Sequence, residues 1–174
     1  MRKSVLLAML LMPGLIDAVA QNTTISFDFA VKHYPESRII QSLLDGHRSE
    51  VRYDFRLLRK ATGLRKILGD RLVAEEQTTY IARWDAFDES FVVLIDGAAE
   101  RVFKDANSFL EFFLSVENRV MTIEEILTDQ DYLFCRWRIQ PVKLVPPLTL
   151  MTLIKSDLQT ISSWQQTEMK KAIR

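Results

Sequence analysis

Cysteine is almost missing from this chain of 174 residues, because Cys135 is the only one. A disulfide within the chain is therefore impossible, and a hydrophobic core must hold the fold together. Paired cysteines and a pair of histidines at helical spacing, which are typical of zinc sites, are missing as well. The sequence accordingly predicts neither a disulfide scaffold nor a metal site, and it indicates no cofactor.

An excess of charge of one sign is missing too, since 23 Lys and Arg residues balance 23 Asp and Glu residues. Nucleic-acid-binding domains usually carry a basic surface, so this balance argues against a nucleic-acid partner. Apolar residues make up 48% of the chain and charged residues 26%, as in folded soluble domains. The length fits one domain with a single core, and no repeat or linker-like tract divides it.

Residues 1–20 contain the three parts of a secretory signal. A basic start, Arg2-Lys3, precedes an apolar run over residues 5–16, and the small residues Ala18 and Ala20 end the segment. The run has twelve residues, whereas a bilayer-spanning helix needs about 20, so a cleaved signal is favoured over a permanent anchor. The residue directly after the cleavage position is Gln21 and not a cysteine, which argues against a lipid anchor. We expect cleavage between Ala20 and Gln21 and export to the periplasm or cell envelope; a buried N-terminal helix and an uncleaved anchor are the alternatives.

Alternating apolar and polar residues predict most of a sheet. Strands are expected over residues 24–33, 49–60, 72–84, 91–95 and 132–145. In the last of these, Leu133, Cys135, Trp137 and Ile139 are expected to face inward, and Arg136 and Arg138 outward. Pro146-Pro147 should end the strand or place it at an edge, because proline lacks the donor of a ladder hydrogen bond.

Helical periodicity indicates three further elements. One helix is expected between Pro35 and Gly46, and a second begins at Asp105 or Asn107 and carries a stripe from Phe109 to Val116. A third passes through Leu158, Ile161 and Trp164 into a polar tail. Residues 62–69 suit a turn or a short helix, and residues 119–126 suit either a strand or the start of a helix. We therefore predict one α+β domain over residues 21–174, with a mainly antiparallel sheet of five to seven strands, two or three helices behind it and a C-terminal helical tail.

The order of several short pieces resembles a bacterial exported family, known as domain of unknown function 4390. The pieces are Ser42-Leu43-Leu44-Asp45-Gly46, Val51-Arg52-Tyr53-Asp54-Phe55, Tyr80-Ile81-Ala82-Arg83-Trp84-Asp85, Phe91-Val92-Val93-Leu94, Phe103-Lys104-Asp105-Ala106-Asn107-Ser108-Phe109-Leu110 and Leu144-Val145-Pro146-Pro147-Leu148. The resemblance spans nearly all of residues 24–164, and Ser162-Ser163-Trp164 is similar to the family's Ser-Trp ending, whereas the polar tail departs from it. Because some members look to be encoded near two-component histidine kinases, the resemblance implies an envelope accessory to sensing, and it implies no catalytic residues.

Candidate catalytic and metal-binding residues are few, and each has a simpler structural interpretation. A Cys–His nucleophile would need Cys135 to be activated by His33 or His47, yet the strand pattern places Cys135 in the core. A metal site would need those histidines with Asp45, but Asp45-Gly46-His47 looks like the turn that ends a helix. Acidic residues are also available for acid–base chemistry, and we interpret them as solvated: Glu75-Glu76, Asp85, Asp88-Glu89 and Glu124-Glu125.

Four outward-facing arginines form the one candidate site, a possible anion-binding face made of Arg52, Arg56, Arg136 and Arg138. If their two strands are adjacent, this face suits a phosphate, a lipid head group or an acidic partner. The alternative, which we favour, is a solvated sheet face on which the arginines pair with acidic residues across the strands; those residues are Glu50, Asp54 and Glu75.

The export signal and the missing catalytic constellation favour a noncatalytic binding or accessory module of the bacterial cell envelope, with an envelope protein or a membrane surface as partner. The 10 Phe and 3 Trp residues suggest an alternative, a carrier of a small apolar or lipid ligand. A hydrolytic enzyme is the weakest hypothesis. The apolar stretch 144–154 is interpreted as core, with a docking surface as the alternative.

Overall fold

The computed structural model of the protein describes residues 23–143 and 159–173. The predicted secretory signal, its cleavage site at Ala20 and Gln21, the Pro146-Pro147 pair and the apolar stretch 144–154 lie outside the described residues. The strands are β1 (Thr23–Ala30), β2 (Ser49–Arg59), β3 (Arg71–Asp85), β4 (Ser90–Ile95), β5 (Ala99–Phe103), β6 (Ser115–Ile123), β7 (Asp131–Gln140), β8 (Thr160–Ile161), β9 (Gln165–Thr167) and β10 (Met169–Ile173). The helices are α1 (Glu36–Leu44), a 3₁₀ helix (Gly63–Leu68) and α2 (Ala106–Phe113), and none of these is long and apolar enough to cross a membrane.

Two antiparallel sheets form the framework. The larger has seven strands in the order β5-β4-β3-β2-β7-β8, with β9 paired to β7 beside β8, and the smaller has the order β10-β1-β6. All of the pairings between these strands are antiparallel. The predicted α+β class, mainly an antiparallel sheet with two or three helices, is therefore confirmed.

The core follows directly from the alternation of β2 and β7. Val51, Tyr53, Phe55 and Leu57 of β2 are fully buried, and so are Leu133, Cys135 and Ile139 of β7. Facing them lie buried residues of β1, β6 and the two helices: Ile25, Phe27, Met121, Ile123, Ile39, Leu43, Phe109 and Phe113. One face of the large sheet is thus covered, and its other face carries the polar positions of the same strands.

Helix α2 begins and ends where side chains satisfy its backbone. The carboxylate of Asp105, one of the two predicted caps, accepts a hydrogen bond from the Ser108 amide at 2.7 Å. At the other end, the buried Tyr53 hydroxyl donates to the Phe113 carbonyl at 2.9 Å. The helix therefore stops before Val116, which the stripe had included and which belongs to β6.

The C-terminal helix through Ile161 and Trp164 is a wrong prediction; Leu158 lies outside the described residues. Ile161 lies in β8 and Trp164 just before β9, and both strands pair with β7. The physical reason is that β7 offers unpaired backbone groups along its free edge, and hydrogen bonding to this edge overrides a helical stripe of only three residues.

Two other boundaries differ from the sequence interpretation. Strand β7 ends at Gln140, because Pro141 has no amide donor; its carbonyl instead accepts hydrogen bonds from the buried Ser42 and Ser49 hydroxyls at 2.5 and 2.6 Å. The ambiguous segment 119–126 is a strand up to Ile123. Strand β5 was not predicted, since its residues are almost all exposed and show no buried alternation.

Candidate functional site

The four predicted arginines lie on one face of the large sheet, because β2 and β7 are direct neighbours. Arg52 is opposite Arg138, and Asp54 is opposite Arg136. Arg56 lies one step further along β2, opposite Phe134. The condition for an anion-binding face, that the two strands be adjacent, is therefore met.

Two of the arginines are satisfied by acidic neighbours, as the alternative interpretation expected. Arg136 donates to one Asp54 carboxylate oxygen from Nε at 3.2 Å and from Nη2 at 2.7 Å. Arg56 donates from Nε to Glu75 at 3.0 Å. The indole of Trp164 also lies over both guanidinium groups, with its centroid 4.6 Å from Cζ of Arg56 and 4.5 Å from Cζ of Arg136. Ion pairs and cation–π contacts thus account for this half of the face.

The other two arginines have no such partner in the part of the chain that the structure describes. Arg52 has an acidic residue on each side of it along the same face of β2. Glu50 pairs with the Lys143 amine at 2.9 Å, and Asp54 pairs with Arg136. No ion pair is formed by Arg52 or Arg138 within residues 23–143 and 159–173. The Nε atoms of both side chains are buried and have no hydrogen-bond partner among the described residues.

Two arginines at opposed positions, without acidic partners among the described residues, form an electrostatically unbalanced pair. Directly opposite positions on neighbouring strands bring Cβ atoms to about 5 Å, and like charges at such positions repel. An anion with two or three acceptor oxygens placed between Arg52 and Arg138 would remove this repulsion and accept the unused donors. Thr79 of β3 lies opposite Arg52, and Ile161 of β8 lies opposite Arg138, so the pair has a polar flank on one side and an apolar flank on the other.

A shallow groove continues along the same face. It has a volume of about 120 Å³ and begins at Ile81, whose β2 partner is Glu50, the outward position next to Arg52. Its lining combines apolar and charged side chains: Arg48, Ile81, Arg83, Val92, Leu94 and Glu100. A ligand larger than a simple anion would therefore find, beside the arginine pair, an apolar groove with charged residues of both signs at its margins.

Cys135 lies in the core, as the strand pattern predicted. It faces Phe55 on the inner side of the sheet and is fully buried, and this burial raises the pKa of its thiol far above the usual value. His33 and His47 are exposed. A raised thiol pKa keeps Cys135 neutral, which is the opposite of what an activated nucleophile requires.

The turn after α1 has the form that the sequence indicated. The amide of His47 donates to the Ser42 carbonyl at 3.0 Å, and Gly46 adopts a φ of 82°, which ends the helix. Asp45 accepts a hydrogen bond from the Gln41 side chain at 2.8 Å. Among the described residues, no group of three or more His, Cys, Asp and Glu side chains is arranged to hold a metal ion.

Most of the candidate acid–base carboxylates are engaged in ion pairs. Glu75 pairs with Arg56, and Glu76 pairs with Arg119. Glu125 pairs with both Arg59 and Arg71. Asp85 has a lowered pKa, because Arg83 and the amides of its own turn donate to it. The remaining candidates at positions 88, 89 and 124 are exposed.

The aromatic residues that suggested a ligand carrier contact one another. Phe91 and Phe113 each stack on Phe109, with centroid distances of 4.6 and 5.2 Å. The rings of Phe27 and Phe55, which come from different sheets, are 4.8 Å apart. These rings pack between the sheets and the helices, and they account for much of the aromatic content in structural terms.

The sequence interpretation missed two features of the structure. Trp164 was placed on a helix, and nothing in its neighbourhood indicated that it covers Arg56 and Arg136. The network around Arg59 was missed as well: Asp131 accepts from its Nε and Nη2 at 2.6 and 2.8 Å, and Glu125 accepts from Nη1 at 3.1 Å. Both depend on strand register, which the residue types alone do not specify.

Comparison with known proteins does not assign the chain to a family: no protein-family model, no curated protein and no solved structure matches it. The resemblance to the exported family named above stays a prediction. The function has to be argued from the arginine face itself.

Proposed function

We propose that the protein is a noncatalytic binding module of the bacterial cell envelope that holds an anionic group between Arg52 and Arg138. One observation carries the proposal: two arginines at directly opposed positions have buried Nε donors and, within residues 23–143 and 159–173, no acidic partner. The neighbouring carboxylates Glu50, Asp54 and Glu75 are each paired with another cation.

The geometry favours a phosphate or carboxylate over a monatomic anion. Guanidinium groups donate in a planar fork, so two of them carried by directly opposed residues match a ligand that has several acceptor oxygens. Arg56 and Arg136, which both contact Trp164, are weaker candidates for such a ligand because Glu75 and Asp54 already neutralise their charges. The same ligand chemistry is found on a free phosphate, a phosphorylated head group or an acidic side chain.

One further observation supports a binding role rather than catalysis. The one cysteine is buried, and its thiol pKa is raised, so the candidate Cys–His chemistry has no activated nucleophile. The assignment to the cell envelope is supported by the predicted signal over residues 1–20 and by the family resemblance.

Titration of the purified protein with simple anions tests the proposal. Inorganic phosphate, a phosphate monoester and succinate are added at constant ionic strength, with chloride as reference, and binding is followed by calorimetry and by the unfolding temperature. A bound anion at 100 times its Kd stabilises the fold by about 2.7 kcal/mol. Arg52→Gln and Arg138→Gln should each weaken binding by about tenfold or more, since each removes a charge-assisted hydrogen bond.

The matched control is Arg101→Gln, which removes an exposed arginine of β5. We expect this variant to bind like the original protein. Equal binding by all three variants, or no binding of any of the anions by the unaltered protein, would refute the proposal.

A further inference from the structure

The connection between β2 and β3 carries an unusual set of exposed apolar side chains. We call residues 60–70 the hairpin tip; it contains the 3₁₀ helix Gly63–Leu68. The side chains of Leu64, Ile67 and Leu68 are 92, 88 and 87% exposed. A turn that contributed to folding alone would bury at least one of them, so their exposure needs another explanation.

The tip has a defined shape, and its base is fastened to the sheet. Asp70 accepts hydrogen bonds from the Ala61 amide at 2.8 Å and from the Tyr132 hydroxyl. The Lys60 amide donates to the Gln130 carbonyl at 3.0 Å. The apolar side chains are therefore presented outward from an anchored turn.

Basic residues are interleaved with the apolar ones. Arg65 and Lys66 lie between Leu64 and Ile67, and both are exposed and form no ion pair among the described residues. The one acidic side chain of the tip, Asp70, has a lowered pKa, first because Tyr132 donates to it and also because Lys60 lies nearby. The tip is therefore basic and apolar at once.

The surface beside the tip limits this basic character to the tip itself. In the β6–β7 connection, Glu124 and Asp129 are exposed, and Glu125 pairs with Arg59 and Arg71. Ile126, which is 66% exposed, lies at the same end of the molecule because its carbonyl accepts a hydrogen bond from Arg59. Positive charge is thus concentrated where the apolar side chains protrude furthest.

We infer that the hairpin tip docks on an anionic lipid surface. Leu64, Ile67 and Leu68 enter the boundary between head groups and acyl chains, while Arg65 and Lys66 contact lipid phosphates. A lipid surface accepts a protruding apolar turn without needing a complementary shape. A stable protein partner typically buries about 800 Å² on each side, which is more than a six-residue 3₁₀ helix roughly 12 Å long offers.

The lipid site is distinct from the anion site on the sheet face. Residues 52 and 60 are separated by about 26 Å along an extended strand. The inference does not rest on the proposed function, and variants of the two regions separate one failure from the other.

Flotation with vesicles tests the inference directly. The purified protein, in the same N-terminal form throughout, is mixed with phosphatidylcholine vesicles that contain or lack 30% phosphatidylglycerol. We expect binding to the anionic vesicles, and a loss of roughly 100-fold or more when Leu64, Ile67 and Leu68 are all changed to Ser. The double change Arg65→Gln and Lys66→Gln should weaken binding to anionic vesicles by roughly 30-fold.

Phe87→Ser provides the matched control. Phe87 is 95% exposed in the turn between β3 and β4, at the opposite end of β3 from the tip. Its replacement removes an equally exposed apolar side chain and should leave vesicle binding unchanged.

A second measurement reports on insertion itself. An environment-sensitive fluorophore attached through Ile67→Cys should shift to the blue on anionic vesicles, whereas the same label attached through Phe87→Cys should not. Labelling is selective because Cys135 is fully buried and has a raised thiol pKa.

The possible outcomes are decisive for the inference. Failure to bind anionic vesicles, or an equal loss in the Phe87 control, would overturn it. Loss of vesicle binding in Arg52→Gln but not in the tip variants would move the lipid contact to the sheet face and would also overturn it. A dimer that disappears in the triple Ser variant, without vesicle binding, would identify a second copy of the chain as the occupant instead.

Discussion

Arg136 and Arg138 lie two residues apart on the same face of the same strand, yet their replacement by Gln should change stability in opposite directions. Arg136 makes two hydrogen bonds to Asp54, whose side chain is only 12% exposed. Its loss leaves that carboxylate unpaired and removes a cation–π contact with Trp164. Arg138 faces Arg52 and forms no ion pair within the described residues.

The magnitudes follow from these contacts. Charged hydrogen bonds contribute about 1.5–3 kcal/mol, and partial exposure of the Arg136 pair reduces this to the lower part of the range. With the lost cation–π contact, Arg136→Gln should lower the free energy of unfolding by about 2 kcal/mol. Arg138→Gln relieves repulsion between opposed like charges and should raise it by about 0.2–1 kcal/mol.

Urea unfolding followed by far-UV circular dichroism measures both effects, because the Trp164 fluorescence baseline would itself change. The gain in Arg138→Gln should shrink in 1 M salt, where charges are screened over about 3 Å. A destabilised Arg138→Gln variant would show that Arg138 has a structural partner, and the reasoning behind the anion site would then be refuted. The pair of variants thus tests the site without any knowledge of its ligand.

Three further predictions concern the core, the loss of folding stability at acid pH, and export. Tyr53→Phe removes the donor to the Phe113 carbonyl and should lower the free energy of unfolding by about 1–2 kcal/mol, or the unfolding temperature by roughly 2–8 °C. Tyr34→Phe removes a buried hydroxyl that has no hydrogen-bond partner among the described residues, so this variant should not be destabilised. Equal losses of stability in the two variants would contradict this prediction. For Asp131, burial raises the pKa of the carboxyl, but hydrogen bonds from Arg59 and the Thr128 amide more than compensate, so its pKa lies below the usual value. The stability that these bonds contribute is therefore present above about pH 4 and lost as the pH falls through the lowered pKa. Asp131→Asn should reduce this loss of stability at acid pH, measured as the free energy of unfolding in urea. An unchanged pH dependence would assign the loss to other carboxylates. N-terminal sequencing of the exported protein should begin at Gln21, and an intact Met1 would favour an anchor.

The predictable part of the fold was the part in which burial imposes a period on the sequence. Strands β2 and β7 were found because every second residue enters a closed core, and Cys135 was placed correctly for the same reason. Strand β5 was not predicted because its side chains are largely exposed, so burial imposed no alternation of apolar and polar residues on its sequence. The C-terminal strands were not predicted because they form by pairing with the free edges of β1 and β7. No local pattern in the sequence encodes this pairing.

The candidate site shows the same division. The four arginines were recognisable as outward residues of two strands, but the difference between them depends on register. A shift of one residue between β2 and β7 would turn one strand's arginines to the other face, so the Arg136–Asp54 pair and the Arg52–Arg138 pair exist only in the observed alignment. Sequence identified the arginine face, and the structure reduced it to two residues.

The C-terminal strands have a consequence for the time at which the protein becomes folded. Strand β9 completes the large sheet beside β7, and after one further residue β10 joins β1 in the small sheet. Ser26 and its partner Lys170 are separated by about 140 residues, and contacts over such distances form slowly. A nascent chain cannot complete either sheet until these C-terminal strands have been synthesised. If the chain is exported as its N-terminal segment predicts, this delay keeps the chain unfolded and able to pass through a translocation channel. The fold would then be completed on the far side of the membrane.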